Sequence, residues 1–173
     1  MAAVKSLAKG HTKVTSLAAP PADKNAITLT EAAAGADLSA FIALSNFALG
    51  STGSSTTDDP SLEQTANFQA LEGSNYGAHF EPYRYFDADT KMVDPTADIA
   101  FQAMVPKGTL LYLLKRVSAK LGEDAWETGD EYSYYEAYTD DPQAPASDSG
   151  YVKCPVDMAV SEAVEFKTLV AGV

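Results

Sequence analysis

Cysteine and histidine are nearly missing from this chain. Cys154 is its one cysteine, and His11 and His79 are its two histidines. A single cysteine excludes an intrachain disulfide and is compatible with a reducing compartment. So few soft ligands, so widely spaced, exclude a zinc constellation. Long apolar runs are missing too. Lys5 and Lys9 stand near the start, but alanine, threonine, serine and proline interrupt everything from Val4 to Pro21. No signal peptide and no bilayer-spanning segment is expected, so the protein is expected to be soluble when made.

Basic residues are scarce. Twelve Lys and Arg face 24 Asp and Glu, for a net charge of −12 and a pI near 4.4. Nucleic-acid binders need cations for phosphate, so that class is excluded, although contact with nucleic acid without binding is not. The charge is unevenly placed. Lys5, Lys9 and Lys13 precede the first acid, Asp23, whereas no base lies between Lys120 and Lys153. That acidic stretch reads equally as an ordinary solvated surface.

Catalytic signatures are absent as well. There is no GxxxxGK, GxGxxG or GxSxG. A Ser-His-Asp triad would need His11, in a terminal segment, or His79, among aromatics on a strand. There a histidine is usually a hydrogen-bonded structural group. The pairs Asp58-Asp59, Asp87/Asp89 and Asp140-Asp141 flank prolines and turns, where Asp bonds the local backbone. The 87–94 segment has neither the central Gly nor the closing Glu of an EF-hand loop. Trp126 and nearby tyrosines read as packing or interface groups before they read as a sugar platform. No catalytic residue, cofactor or metal is expected.

What is present is a globular composition. Hydrophobic residues make up 46% of the 173 and charged residues 21%, enough for one domain with a core plus extended arms. Residues 1–25, ending beyond Pro20-Pro21, read as an N-terminal arm without order of its own, and residues 26–173 as the domain. Period-two patterns dominate. Strands are predicted at 27–30, 36–49, 65–72, 76–86 (with Pro82 at an edge or bulge), 109–117, 130–139, 151–161 and 163–170. In the 130–139 strand Tyr132, Tyr134, Glu136 and Tyr138 share one face, and Ser133, Tyr135 and Ala137 the other. The polar stretch 50–61 reads as a long loop, and Gly73-Ser74-Asn75 as a turn. One helix is predicted from Pro95 to Met104, N-capped by Asp94, with Asp98 near its positive end and Pro106 and Gly108 closing it. The fold class is mostly β, a sandwich or partial barrel with one packed α-helix.

Three segments in order carry a resemblance: ADLSAFIALSNFALGSTGSSTTDDPSLEQTANFQALEGSNYGAHFEPYRYF, then DPTADIAFQAMVPKGTLLYLLKRV, then AWETGDEYSYYEAYTDDPQ. Their sequence and spacing resemble the tail tube proteins of long, flexible-tailed phages of Gram-positive hosts, actinobacteria especially. The resemblance covers roughly residues 36–170. It implies a β-sandwich that forms hexameric rings, whose strands join into an inner barrel. The rings stack around a tape-measure protein, and DNA passes through the lumen without specific binding. It also implies a virion protein assembled in the host cytoplasm, meeting tail terminator and distal tail proteins and no membrane.

By the same resemblance the 50–61 loop and the N-terminal arm make ring-to-ring contacts. The candidates are Lys5, Lys9, Lys13, Ser54, Ser55, Thr56, Asp58 and Asp59. A conduit that must release DNA should present acids to its phosphates, and ring symmetry multiplies such charge around a narrow lumen. Asp130, Glu131 and Glu136 are the lumen candidates, with Glu131 and Glu136 of opposite parity on their strand. The competing readings are another virion β-module (head-completion, decoration or adhesin protein) and a carbohydrate-binding sandwich with a cleft near Trp126.

Overall fold

The computed structural model describes residues 5–58, 62–63, 69–145 and 150–172. The architecture is mostly β, as the period-two patterns require. Its strands are β1 (Thr12–Leu17), β2 (Ala36–Asp37), β3 (Ala48–Thr57), β4 (Ala70–Phe80), β5 (Leu110–Val117), β6 (Glu131–Thr139) and β7 (Val156–Thr168). The helices are α1 (Leu29–Ala34) and α2 (Ile99–Ala103), with a turn of 3-10 helix at Ser39–Phe41. All seven strands form one antiparallel sheet in the order β2-β1-β5-β6-β7-β4-β3.

That sheet is not flat. Four strand spacings separate β5 from β3, roughly 19 Å in a flat sheet. Yet the Lys115 amine on β5 donates to the Leu49 carbonyl on β3. Val14 of β1, at the other end of the order, shares a core with Leu49, Phe80, Leu113, Tyr135 and Val156. The two halves of the sheet therefore fold face to face as a partial barrel. The second face of β1, β5 and β6 is buried separately. Leu17, Leu114, Tyr132 and Tyr134 pack there beneath Ile27, Ala32, Trp126 and Leu169. Double burial explains the nearly continuous apolar run of β5. The alternation read along β6 holds, with Tyr132 and Tyr134 in one cluster and Tyr135 and Ala137 in the other.

Several local expectations need correction. Residues 27–30 are not a strand. Thr28 N-caps α1 in a capping box: its hydroxyl accepts the Glu31 N–H (3.2 Å), and Glu31 accepts the Thr28 N–H (2.8 Å). The TxxE signal was legible, and its local hydrogen bonds outweigh the β-branched content. The helix ends at Gly35, whose missing side chain lets the turn approach β1; a Cβ there would lie 2.5 Å from Thr15 Cγ2. Residues 36–49 are strand only at their ends, and Phe41, Ile42 and Phe47 instead pack over the core from irregular backbone.

The 95–104 helix is shorter than expected. Asp94 turns its carboxylate onto Thr96 and Ala97, and the helix proper begins after Asp98. Asp98 is buried, accepting from Arg84 Nε, the Tyr85 N–H and Gln102. The strands predicted at 151–161 and 163–170 are a single strand, β7, kept in register with β6 by irregularities opposite Tyr132/Tyr134 and Glu136/Ala137. The arm expected over residues 1–25 also differs: β1 lies inside the sheet between β2 and β5, and Lys13 is buried.

Arg116 joins these parts. Its side chain is fully buried beside Trp126. It donates to the Ala125, Leu121 and Asp124 carbonyls and to Asp130 Oδ2 at 2.8–3.0 Å. Replacing Arg116 by Met should leave Asp130 half-compensated and the loop carbonyls unpaired, at a cost of about 3–5 kcal/mol in urea unfolding. Arg116→Lys should recover only a minority of this, because one ammonium cannot span a forked set of acceptors.

Candidate assembly surface

The polar stretch from Gly50 onward is not a loop. Ser51, Thr52 and the residues to Thr57 continue β3, which pairs with β4 as far as Thr57↔Ala70. Gly73, Ser74 and Asn75, read as a turn, lie within β4, with Gly53↔Asn75 and Ser54↔Ser74 in register. Polar, small side chains suit this strand pair because most of it buries nothing: residues 51–58 and 71–75 are nearly all exposed. Paired backbone, not a core, holds them.

The hairpin is joined to the rest of the sheet by little. Among the described residues, only Ala78, His79 and Phe80 of β4 pair with β7. From there the two strands part. Among the described residues, the outer edge of β3, residues 70–77 of β4 and residues 159–168 of β7 each present unpaired backbone on one side. A groove of about 420 Å³ separates the hairpin from β5 and β7, with Gly50, Gly77, Lys115, Glu165 and Phe166 in its walls. Lys115 is held there by the Leu49 carbonyl, and burial pushes its pKa below the ordinary value. Tyr135 donates to Glu165 at 2.6 Å, and burial together with that carboxylate pushes the phenol up.

The residues expected at ring-to-ring contacts divide. Ser55, Thr56 and Asp58 are exposed on the hairpin, and Ser54 is half-buried in its ladder. Asp59 lies outside the described residues. Lys5 and Lys9 are exposed before β1, whereas Lys13 is turned inward to Asp37 and the Gly122 carbonyl. Lys13 follows the alternation of β1, a strand within the segment expected to be an arm.

The three acids expected at a lumen divide as well. Asp130 is buried between Arg116 Nη1 (2.9 Å) and Lys120 Nζ (2.7 Å). Burial alone would raise its pKa, but Lys120, the Glu127 N–H and Arg116 outweigh that and hold it low. Glu136 is half-buried, accepting from Tyr134 OH (2.9 Å) and bridging Lys24 (2.7 Å), which also reaches Glu162. Glu131 is exposed, with no ion-pair partner among the described residues. The Lys24–Glu136 pair links residues far apart in sequence, so nothing in the local pattern announced it.

Other candidates are absorbed by structure. Trp126 is buried, its Nε1–H donated to Thr15 Oγ1 (2.9 Å), and offers no platform. His79 Nδ1 lies 2.6 Å from an Asp157 oxygen. Asp87 accepts from the Asp89 and Thr90 N–H groups, the local bonding its turn position implied. Among the described residues no group of three or more His, Cys, Asp or Glu is placed to hold a metal ion, and no helix is long and apolar enough to cross a membrane.

Lys24, first, and Tyr134 hold the Glu136 pKa below its ordinary 4.5. A depressed carboxylate contributes stability above its unfolded pKa and loses it as pH falls through the folded value. Glu136→Gln should therefore be less stable than the parent in urea melts at pH 7. The difference should close as pH drops below 4.5, the ordinary value that the folded state depresses. A deficit independent of pH would place the effect in packing rather than in the ion pair.

No curated protein matches the chain. The family model described as phage tail tube protein matches it over residues 1–173, every residue of the chain. A mostly β domain with long unpaired strand edges and a projecting polar hairpin is in keeping with a subunit that completes its sheet against its own copies. The chain belongs to the phage tail tube protein family, a structural component of a phage tail that self-assembles into a tube.

Proposed function

We propose that this chain is the repeating subunit of the tail tube of a long-tailed phage, forming hexameric rings that stack around a tape-measure protein. The resulting channel passes the genome into a Gram-positive host. Tail terminator and distal tail proteins close the two ends of the stack, and the subunit acts without catalysis, cofactor or metal.

The observation that carries this reading is the split sheet. Among the described residues its edges on β3, β4 and β7 are unpaired backbone, which a neighbouring copy satisfies by adding strands. A heterologous edge-to-edge contact closes into a ring when its rotation divides a circle, and such a ring has no edges left. Residues 48–80 contain no Lys or Arg, so this stretch of sequence adds acids to the assembly without cations.

Glu131 is the leading lumen residue of the original three. Asp130 and Glu136 are locally neutralised by Arg116, Lys120 and Lys24, so they add little repulsion beyond their own ion pairs. An exposed, unpaired carboxylate repeated around a narrow channel repels phosphate and keeps DNA from adhering.

Purified protein at high concentration should form open-ended tubes in negative-stain micrographs. Monomers or closed small oligomers alone would favour a head-completion or decoration role. Hydrogen exchange across residues 50–57 should be fast in the free subunit at the outer edge of β3 and slow in the tube. Equal exchange in both states would remove the hairpin from the assembly contacts.

A further inference from the structure

The hairpin of β3 and β4 leaves the body of the molecule at one place. Leu49 and Ala78 still belong to the core, and Ala78, His79 and Phe80 pair with β7. Beyond them, among the described residues, no hydrogen bond joins residues 51–75 to anything outside the hairpin. Tyr76 rests edge-on against Tyr135, with ring centroids 6.3 Å apart. Gly50 and Gly77 face each other across the two strands at this boundary. Neither brings a side chain to the packing, and glycine is the residue whose backbone turns most freely.

Three polar side chains meet the hairpin there, one from each of three adjacent strands. Lys115 comes from β5, Tyr135 from β6 and Glu165 from β7. Tyr135 donates to Glu165 at 2.6 Å. The Lys115 amine has no ion-pair partner among the described residues and donates to the Leu49 carbonyl. It lies 5.5 Å from the centre of the Tyr135 ring. A Cβ at Gly50 would stand 3.3 Å from that amine and 3.7 Å from both Glu165 Oε1 and the Tyr135 hydroxyl. Any side chain at position 50 would press on this cluster. A half-buried amine gives up water, and the Leu49 bond is what it receives in return. That bond crosses the groove from β5 to the last core residue of β3, one residue before the glycine pair.

We propose that Lys115 is the positioning residue of the hairpin: its amine pins β3 at Leu49, and the Gly50–Gly77 pair is the pivot about which residues 51–75 turn to meet a second copy. This rests on the tail-tube reading, in which the hairpin pairs with a neighbour, and adds what sets the direction of the hairpin. A hydrogen bond from a charged donor is worth about one tenfold step in a two-state population. Without it the hairpin is held by Tyr76 and by the short β4–β7 ladder alone, and other orientations compete. The apparent affinity between copies then falls by the fraction of subunits left in the competent orientation. Assembly is weakened while the core stays as it was.

The test uses the full-length chain. Lys115→Met removes the donor and leaves an apolar side chain of similar reach, so circular dichroism and the melting midpoint should stay close to the parent. Spin labels at Thr56→Cys and Ala119→Cys, both exposed positions, in a Cys154→Ala background report the hairpin against the end of β5 in the free subunit. The parent should give one narrow distance and Lys115→Met a broad distribution. Without labels, Lys115→Met should need about tenfold more protein for tube growth, followed by light scattering and negative stain. Lys115→Arg keeps a charged donor beside the open groove and should lie nearer to the parent in both readouts. A narrow distance in folded Lys115→Met protein, or tube growth at the parent's concentration, would overturn the proposal while leaving the tube reading intact. Lys115→Arg matching Lys115→Met throughout would place the effect in packing and overturn it as well. A parent chain that never forms tubes would overturn the tube reading and the assembly part of the proposal, and the label distances would still decide whether Lys115 holds the hairpin.

Discussion

A buried guanidinium needs acceptors for its N–H groups, and the search of the two Arg116 terminal nitrogens for them organises one whole end of the molecule. The side chain leaves β5 on the face opposite the main core. It collects three backbone carbonyls of the 121–125 segment and the Asp130 carboxylate at the entry to β6. The link between β5 and β6 is thereby bound to the sheet, and Trp126 is set beneath it against Thr15 of β1. Gly122, in the same link, lies so near β1 that a Cβ would be 2.5 Å from the Thr12 carbonyl. The inclusion of the N-terminal strand in the sheet thus depends on a loop that one charged side chain holds in place.

The other end of the molecule is governed by β7. It is long enough to serve both halves of the sheet, pairing with β6 along most of its length and with β4 over three residues. Its irregularities let it follow β6 while its first residues turn toward β4. The strands of the second half then fold over the first and enclose the core around Phe80, Leu113 and Tyr135. The same geometry leaves residues 70–77 of β4 paired with β3 but, among the described residues, not with β7. A well-buried core and a set of unsatisfied edges are two results of one split, and in a self-assembling protein the second is as useful as the first.

Charge follows a similar division of labour. Most of the bases are consumed inside the subunit: Lys13 by Asp37, Lys24 by Glu136 and Glu162, Arg84 by Asp98, Lys153 by Glu81. The formal excess of acids is therefore concentrated on what those pairs leave exposed, including the hairpin and the 87–94 turn. Exposed ion pairs contribute little to stability on their own. Here their consequence is to leave few cations without an ion-pair partner among the described residues: Lys5, Lys9 and Lys167 toward one end of the sheet, Lys115 at the groove and Lys91 in the 87–94 turn.

Composition and periodicity alone determined the class of the protein: mostly β, acidic, with one cysteine and therefore no intrachain disulfide. They also located β5 and β6 closely and assigned the two faces of β6, because alternation is a local property of the extended chain. The TxxE box of α1 was equally local and equally present, though β-branched neighbours masked it. What the tertiary structure decided were matters of pairing. Whether 50–57 is loop or strand depends on the partner it finds in β4, since its own side chains bury nothing. Whether Lys13, Asp130 and Glu136 are free or spent depends on Asp37, Arg116 and Lys24, which chain topology brings to them from 14 to 112 residues away. A period-two pattern specifies which side of a strand faces in, but only the closed sheet specifies what waits there.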